Sequence, residues 1–137
     1  MWPPTRDALR RGTSPAVAGQ RSGTYREGMS HPYLPETITR AQADALPGAT
    51  VLQFGTDWCG YCRAAEGPIE SVLGDAGDLR RIFVEDGSGR PLGRSYQVRR
   101  WPTLIFLAHG TEVARVVRPE SSEGVADALA WVMQSLA

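Results

Sequence analysis

The chain has 137 residues, 42% of them hydrophobic, which suits one domain with a single core. Its formal charge is zero, but residues 1–28 hold five arginines against two acidic residues, which leaves a net charge of −3 on residues 29–137. A mildly acidic domain argues against nucleic acid as a partner. Since no apolar run reaches membrane-spanning length, we expect a soluble protein that binds neither nucleic acid nor membrane.

Residues 1–28 are rich in Pro, Gly, Ser, Thr and Arg and lack apolar periodicity, so we predict a disordered leader or N-terminal extension. Arg10-Arg11 could begin an export signal, but no apolar core follows it. An arginine-rich leader also resembles a mitochondrial transit peptide, although its prolines and glycines disfavour an amphipathic helix. Another alternative is that Met29 is the natural start. We therefore expect a cytoplasmic protein with its domain over residues 29–137.

The first predicted elements are a helix, a strand and a second helix. Thr39 and Gln42 have the spacing of a capping box, which predicts a short helix over about residues 40–46. Residues 50–54 are typical of a buried strand. Pro68 should bend the second helix without ending it, because the apolar period resumes beyond it. Apolar residues at helical spacing predict that helix and its sheet-facing side: Cys62, Ala65, Ile69, Val72 and Leu73.

The next elements alternate in the same way. Residues 79–84 predict a strand that ends at a glycine-rich turn, and Pro91 can begin a short helix that runs to Tyr96, with Leu92 on the same side. Residues 103–107 are continuously apolar, which is typical of a strand covered on both faces by helices.

The last elements complete a hairpin and add a helix. His109-Gly110 predicts a turn, after which residues 112–117 return as an antiparallel strand. Ser121 or Ser122 caps a final helix, whose apolar stripe is Val125, Leu129, Val132, Met133 and Leu136. A β-α-β unit followed by a hairpin and a helix predicts an α/β fold, with a mixed sheet of about four strands flanked by helices on both faces.

The two cysteines, Cys59 and Cys62, stand where the strand over residues 50–54 meets a helix. Two cysteines are too few for a disulfide scaffold, so this spacing indicates a redox-active or metal-binding pair. The unpaired N–H groups and the dipole of a helix start favour an anion, so Cys59 is expected to be an exposed attacking thiolate. Cys62, one turn further, is expected to be shielded and to resolve the mixed disulfide.

These features resemble the thioredoxin family over about residues 37–136. The resemblance rests on a strand residue, the cysteine motif and a distant proline motif: Phe54, Trp58-Cys59-Gly60-x-Cys62 and Trp101-Pro102-Thr103. The Gly110 turn and the terminal helix also match. The resemblance implies a thioredoxin fold and a cis peptide bond before Pro102. That proline would pack beside the Cys59 sulfur and shape a groove for a substrate strand.

The groove that the resemblance implies consists of Trp58, Gly60, Tyr61, Trp101, Pro102 and Thr103. Its aromatic members could form a rim around the thiolate that prefers apolar peptide segments. Trp58 could equally be a packing residue, and Trp131 on the last helix is expected to be in the core.

Three positions depart from the family pattern. Gln53 stands where reductases of the family bury an aspartate, Gly55 replaces an aromatic residue, and Tyr61 replaces a proline. An amide can only hydrogen-bond, so the attack of Cys62 on the mixed disulfide should be slower or depend on water. Asp57 and Glu66 are candidates for a substitute proton relay beside Gln53. No lysine is available as a partner, because all fifteen basic residues are arginines.

The two histidines invite a zinc interpretation together with the cysteines. His31 precedes Cys59 by 28 residues and His109 follows Cys62 by 47, which fits no compact zinc site. An iron–sulfur cluster bridging two chains is possible for thioredoxin-like folds, but nothing in the sequence favours it. We therefore expect no metal and no cofactor besides the redox-active cysteine pair.

The leading hypothesis is a thiol–disulfide oxidoreductase that reduces protein disulfides, with Cys59 as nucleophile and Cys62 as resolving thiol. A flavoprotein of the thioredoxin-reductase type or glutathione would supply electrons, and we expect a monomer. One alternative is a redox-sensing or client-binding module with poor turnover. Another is a disulfide isomerase or oxidase, if the protein is exported, because Cys-Gly-Tyr-Cys is similar to motifs of periplasmic isomerases.

Overall fold

The computed structural model describes residues 33–35 and 37–137. The predicted leader over residues 1–28, the candidate start Met29 and the candidate ligand His31 lie outside the described residues. The elements in chain order are α1 (Arg40–Asp44), β1 (Ala49–Gly55), α2 (Gly60–Leu73), β2 (Leu79–Glu85), α3 (Pro91–Ser95), β3 (Thr103–Ala108), β4 (Thr111–Val117) and α4 (Ser122–Gln134). This is the predicted order.

The four strands form one mixed sheet in the order β2-β1-β3-β4. The β1 strand pairs in parallel with β2 and antiparallel with β3, and β4 pairs antiparallel with β3. Every residue of the two central strands β1 and β3 is buried. This burial follows from the β-α-β crossover, which places helices over the faces of the sheet, and it confirms the predicted α/β architecture.

The core lies on both faces of the sheet, because neighbouring residues of a strand point to opposite sides. On one face, Val51 and Phe106 pack with buried residues of α2 and α4, including Ile69 and Val125. The apolar cluster on the other face joins the strands to α1 and α3: Ala43, Leu52, Phe54, Val84, Leu92, Tyr96, Ile105 and Leu107.

The helix boundaries agree with the local signals, with small differences. The predicted capping box is present, since the Thr39 hydroxyl accepts from the Gln42 N–H and the Gln42 side chain accepts from the Thr39 N–H. Helix α1 ends two residues earlier than predicted. Helix α2 continues through Pro68 to Leu73. Ser121 is the N-cap residue of α4.

Trp131 corrects one prediction, because 56% of it is exposed although it was expected in the core. It precedes the fully buried Val132 by one residue, which places it about 100° around α4 from the buried stripe. Within the described ranges, no helix has the length and apolar character needed to cross a membrane.

Candidate active site

The two cysteines lie at the carboxyl end of the central strand β1, where the chain turns into α2. Both are free thiols. Cys59 is the N-cap residue of α2, and its Sγ accepts a hydrogen bond from the N–H of Cys62 at 3.2 Å. The Cys59 sulfur therefore lies at the positive end of the helix dipole, where a negative charge is favoured.

Cys59 is less exposed than expected. Cys59 is 7% exposed and Cys62 is 5% exposed, so the two thiols differ little in burial. The reason is local, since the Cys59 side chain turns back over the first helical turn to reach the Cys62 N–H. Cys62 is shielded as predicted.

Burial raises the pKa of the Cys62 thiol to about 12, and its hydrogen bond with Cys59 acts in the same direction. A hydrogen bond from the Thr56 backbone and one from the Tyr33 side chain oppose this rise. Cys62 is therefore a neutral thiol at physiological pH. It must lose its proton during any step in which its sulfur attacks.

The raised pKa of Cys62 predicts a difference in alkaline stability between the reduced and the oxidised protein. A thiol with a pKa raised above its ordinary value of 9.0 contributes stability that is complete below about pH 9 and is lost as pH rises towards about 12. In urea titrations from about pH 8 to pH 11, the reduced protein should lose up to about 1.4 kcal/mol more per pH unit than the oxidised protein, whose disulfide removes this proton. Equal alkaline losses in both forms would contradict the raised pKa.

The space behind Cys62 is filled by Tyr33, a residue that precedes the domain's first helix. The Tyr33 hydroxyl oxygen accepts a hydrogen bond from Gln53 Nε2 at 2.7 Å. An ideal Cβ placed on Gly55 would lie 2.6 Å from Cys62 Sγ and 2.9 Å from Cζ of Tyr33. Position 55 therefore accepts only glycine without displacement of a neighbour, which explains the departure from the family's aromatic residue.

The three relay candidates occupy different places. Gln53 is buried on β1 and contacts Tyr33 through its amide. The Asp57 carboxylate accepts a hydrogen bond from the Tyr33 backbone N–H at 2.9 Å, so it anchors the N-terminal segment. Across the part of the chain that the structure describes, Glu66 makes no hydrogen bond with either cysteine. Arg63 donates to the Asp57 carbonyl oxygen and so stabilises the loop before Cys59.

We call the aromatic residues of the predicted groove, Trp58, Tyr61 and Trp101, the aromatic rim. Trp58 is 71% exposed and Tyr61 is 59% exposed, which excludes a pure packing role for Trp58. The Trp58 ring contacts the Trp101 ring edge to face, with 5.8 Å between their centroids. The Trp101 indole N–H donates to Asp86 Oδ2 at 2.8 Å, which fixes the orientation of that ring.

Arg118, which follows the last residue of β4, contacts two residues of the aromatic rim. Its guanidinium carbon lies 3.7 Å from the centroid of the Tyr61 ring, a cation–π contact. Its Nε donates to the Trp101 carbonyl oxygen at 2.9 Å, and its backbone N–H donates to the Pro102 carbonyl oxygen. Arg118 thus joins the cysteine motif to the proline motif.

The Trp101–Pro102 peptide bond is cis, as the resemblance implies. Pro102 is buried, and Thr103 is buried with its hydroxyl donating to the Arg100 carbonyl oxygen at 2.6 Å. The Thr103 side chain therefore lies in the protein interior. It is held inside because β3, which begins at Thr103, is covered on both faces.

The structure describes no group of three or more His, Cys, Asp or Glu side chains that could hold a metal ion among residues 33–35 and 37–137. His109 lies in the turn between β3 and β4, where its Nδ1 accepts from the Gly48 N–H at 3.1 Å. His109 is therefore part of a structural contact between two loops.

Sequence reasoning missed Tyr33, Asp86 and Arg118 as residues of this site. Tyr33 lies in a segment without apolar periodicity, and its contact with Gln53 spans 20 positions. One signal was present, because a glycine in place of an aromatic residue at position 55 leaves space that another large side chain must fill. Asp86 and Arg118 carried no comparable signal.

A reduced cysteine pair at the start of a helix, at the carboxyl end of the central strand of a four-stranded mixed sheet, defines a dithiol protein of the thioredoxin fold. The thioredoxin family model matches residues 41–130. The chain belongs to the thioredoxin family.

Individual relatives agree with this assignment. Thioredoxin H2-2 of Oryza sativa subsp. japonica is 29% identical over 73 residues, which are 53% of this chain and 54% of that protein. Thioredoxin of Chlamydia pneumoniae is 32% identical over 78 residues, 56% of this chain and 74% of the relative. Thioredoxin 2 of Pseudomonas aeruginosa PAO1, solved in its reduced form, is 46% identical with a TM-score of 0.69, covering 77% of this chain and 99% of that one. The chain spans about half the length of the Oryza relative that it matches.

Proposed function

We propose that the protein is a thiol–disulfide oxidoreductase that reduces disulfide bonds of proteins through Cys59 and Cys62. The observation that carries this proposal is the unequal environment of two adjacent free thiols. Cys59 is the N-cap residue of α2 and accepts a hydrogen bond from the Cys62 N–H, whereas Cys62 lies one turn inside the helix and has a pKa raised by burial. Membership of the thioredoxin family supports the same assignment and does not favour the sensor, isomerase or oxidase alternatives.

The proposed reaction has two exchange steps. The Cys59 thiolate attacks one sulfur of a substrate disulfide, and the other substrate sulfur leaves as a thiolate that takes up a proton. Cys62 then loses its proton and attacks Cys59 Sγ, which breaks the mixed disulfide and releases the second substrate thiol. Two electrons have passed to the substrate, and the protein holds a Cys59–Cys62 disulfide.

The substrates that suit this site are proteins with apolar segments next to a disulfide. The exposed side chains of Trp58 and Tyr61, together with Trp101 in the loop before β3, offer a large aromatic contact area beside the thiols. The oxidised protein needs a two-electron donor, for which we propose a flavoprotein reductase of the thioredoxin-reductase class or glutathione. We also propose a cytoplasmic monomer, which size-exclusion chromatography and cell fractionation would test.

The proposed activity is tested by coupled turnover with the full chain. With NADPH, a bacterial thioredoxin reductase and insulin, we expect NADPH consumption that depends on insulin and on this protein. Glutathione in place of the reductase tests the second donor. A protein that is oxidised and reduced reversibly by glutathione, yet reduces no insulin with either donor, would be a sensor and not a reductase.

A further inference from the structure

The segment that carries Tyr33 is attached to the edge of the sheet beside the cysteine pair. Leu34 forms a parallel bridge with Val84 of β2, in which the Glu85 N–H donates to the Leu34 carbonyl oxygen at 2.7 Å. The Tyr33 ring contacts the Phe83 ring edge to face, with centroids 5.7 Å apart. Together with the bond from its backbone N–H to Asp57, these contacts fix the ring in one place.

The phenol ring of Tyr33 and the sulfur of the resolving cysteine lie beside the same residue of β1, Gly55. A Cβ on Gly55 would meet both Cys62 Sγ, at 2.6 Å, and the hydroxyl-bearing carbon of Tyr33, at 2.9 Å. The sulfur and the phenol therefore flank the same point of β1.

The hydrogen bond with Gln53 determines where the Tyr33 hydroxyl can donate its own hydrogen. Its oxygen accepts from Gln53 Nε2, so its own hydrogen is available to a second acceptor. The Cys62 sulfur flanks Gly55 together with the phenol ring, and the interaction with the Tyr33 side chain lowers the pKa of Cys62. Burial raises the pKa of Tyr33 above its ordinary value, so the phenol keeps its proton throughout the physiological range and remains a donor.

We propose that the Tyr33 hydroxyl, oriented by Gln53, donates a hydrogen bond to the Cys62 sulfur and stabilises the thiolate that forms when Cys62 resolves the mixed disulfide. This inference rests on the proposed function of the Cys59–Cys62 pair. Tyr33 contacts a reacting atom, whereas Gln53 acts through Tyr33 and is a positioning residue. Gln53, which stands where reductases of the family bury an aspartate, thus acts on the resolving thiol through the Tyr33 hydroxyl.

The chemistry of this donor differs from that of a buried carboxylate. A carboxylate can accept the proton of Cys62, but a protonated phenol and an amide cannot. The Cys62 proton therefore passes to water, and the leaving substrate sulfur takes a proton from water when it departs. Tyr33 keeps its own proton and lowers the cost of the intermediate thiolate.

The test separates the two exchange steps in time. The reduced full chain is mixed with one equivalent of an aromatic disulfide whose released thiolate is coloured. The first phase reports attack by Cys59, and the second reports release by Cys62.

Tyr33→Phe keeps the ring but removes the hydrogen-bond donor, so we expect an unchanged first phase and a second phase slowed about threefold to tenfold. The slowing is limited because the smaller fraction of Cys62 thiolate is partly offset by the greater nucleophilicity of that thiolate. The pH profile of the second phase should move to higher pH.

Tyr96→Phe is the matched control, since it removes another buried tyrosine hydroxyl, one without a hydrogen-bond partner in the described part of the chain. It should leave both phases unchanged. Gln53→Leu should slow the second phase less than Tyr33→Phe does, and the double variant should be no slower than Tyr33→Phe alone.

Two results would overturn the proposed role of Tyr33. One is a second phase of wild-type rate and pH profile in Tyr33→Phe. The other is an equal slowing of both phases, which would indicate a general disturbance of the domain. Either result leaves the oxidoreductase function intact as long as the wild-type protein reduces insulin, so failure of the two proposals can be told apart.

Discussion

Replacing Cys59 with serine should abolish insulin reduction, with a loss of about a thousandfold or more. A serine hydroxyl does not ionise at neutral pH, so the helix N-terminus would have no anion to stabilise and no nucleophile would form. The variant should fold normally, because a serine is also a good N-cap residue and can accept the hydrogen bond that Cys59 Sγ accepts from the Cys62 N–H. Reductase-coupled turnover measures the loss, and near-ultraviolet circular dichroism checks the fold.

Cys62→Ser is the matched control for this prediction, since it makes the same change in the other thiol. It should retain the first exchange step and accumulate mixed disulfides with its substrates, visible on non-reducing gels. Turnover of Cys59→Ser at the wild-type rate would exclude Cys59 as the nucleophile. Mixed disulfides trapped in Cys59→Ser instead of in Cys62→Ser would reverse the assigned roles.

Gly55→Ala should destabilise the reduced protein by about 1–3 kcal/mol, the usual range for an added methyl group in a filled interior. The new Cβ would lie 2.6 Å from Cys62 Sγ and 2.9–3.0 Å from two atoms of the Tyr33 ring, so one of them must move. Tyr33 belongs to the terminal segment and is the easier group to displace. The variant should therefore also slow the second exchange phase. Urea titration of the reduced protein measures the change in stability.

Gly124→Ala is the control for this substitution. Gly124 lies inside α4, and apart from its chain neighbours and its own helix backbone no atom lies within 4 Å of the position that a Cβ would take. Alanine is the better helix former, so this variant should gain about 0.5–1 kcal/mol. Similar losses in the two variants would show that close packing against Cys62 and Tyr33 is not the cause at position 55.

The sequence predicted most of the fold because its signals are local. The capping box at Thr39, the apolar period of α2 and the continuous apolar run of β3 each depend on residues within one element. The element order then left few arrangements, since a β-α-β unit forces a crossover and a hairpin forces an antiparallel pair. The sequence spacing also identified the cysteine pair itself.

The differences between expectation and structure concern the burial of single side chains. Cys59 is more buried than expected because its side chain turns towards the Cys62 N–H. Thr103 is inside because both faces of β3 are covered. Trp131 is exposed because it lies about 100° around α4 from the buried stripe. The size and apolar character of the residue alone do not show on which side of the helix it lies.

By itself, the sequence determined the strand-to-helix site of Cys59 and Cys62, the aromatic residues beside it and the family resemblance, since these follow from spacing along the chain. Only the tertiary structure decided what surrounds the resolving thiol. Tyr33 reaches Cys62 through a bridge to β2 and a bond to Asp57, contacts between segments far apart in sequence. No local period encodes such contacts, because they form only when the folded sheet brings its edge and the start of α2 together.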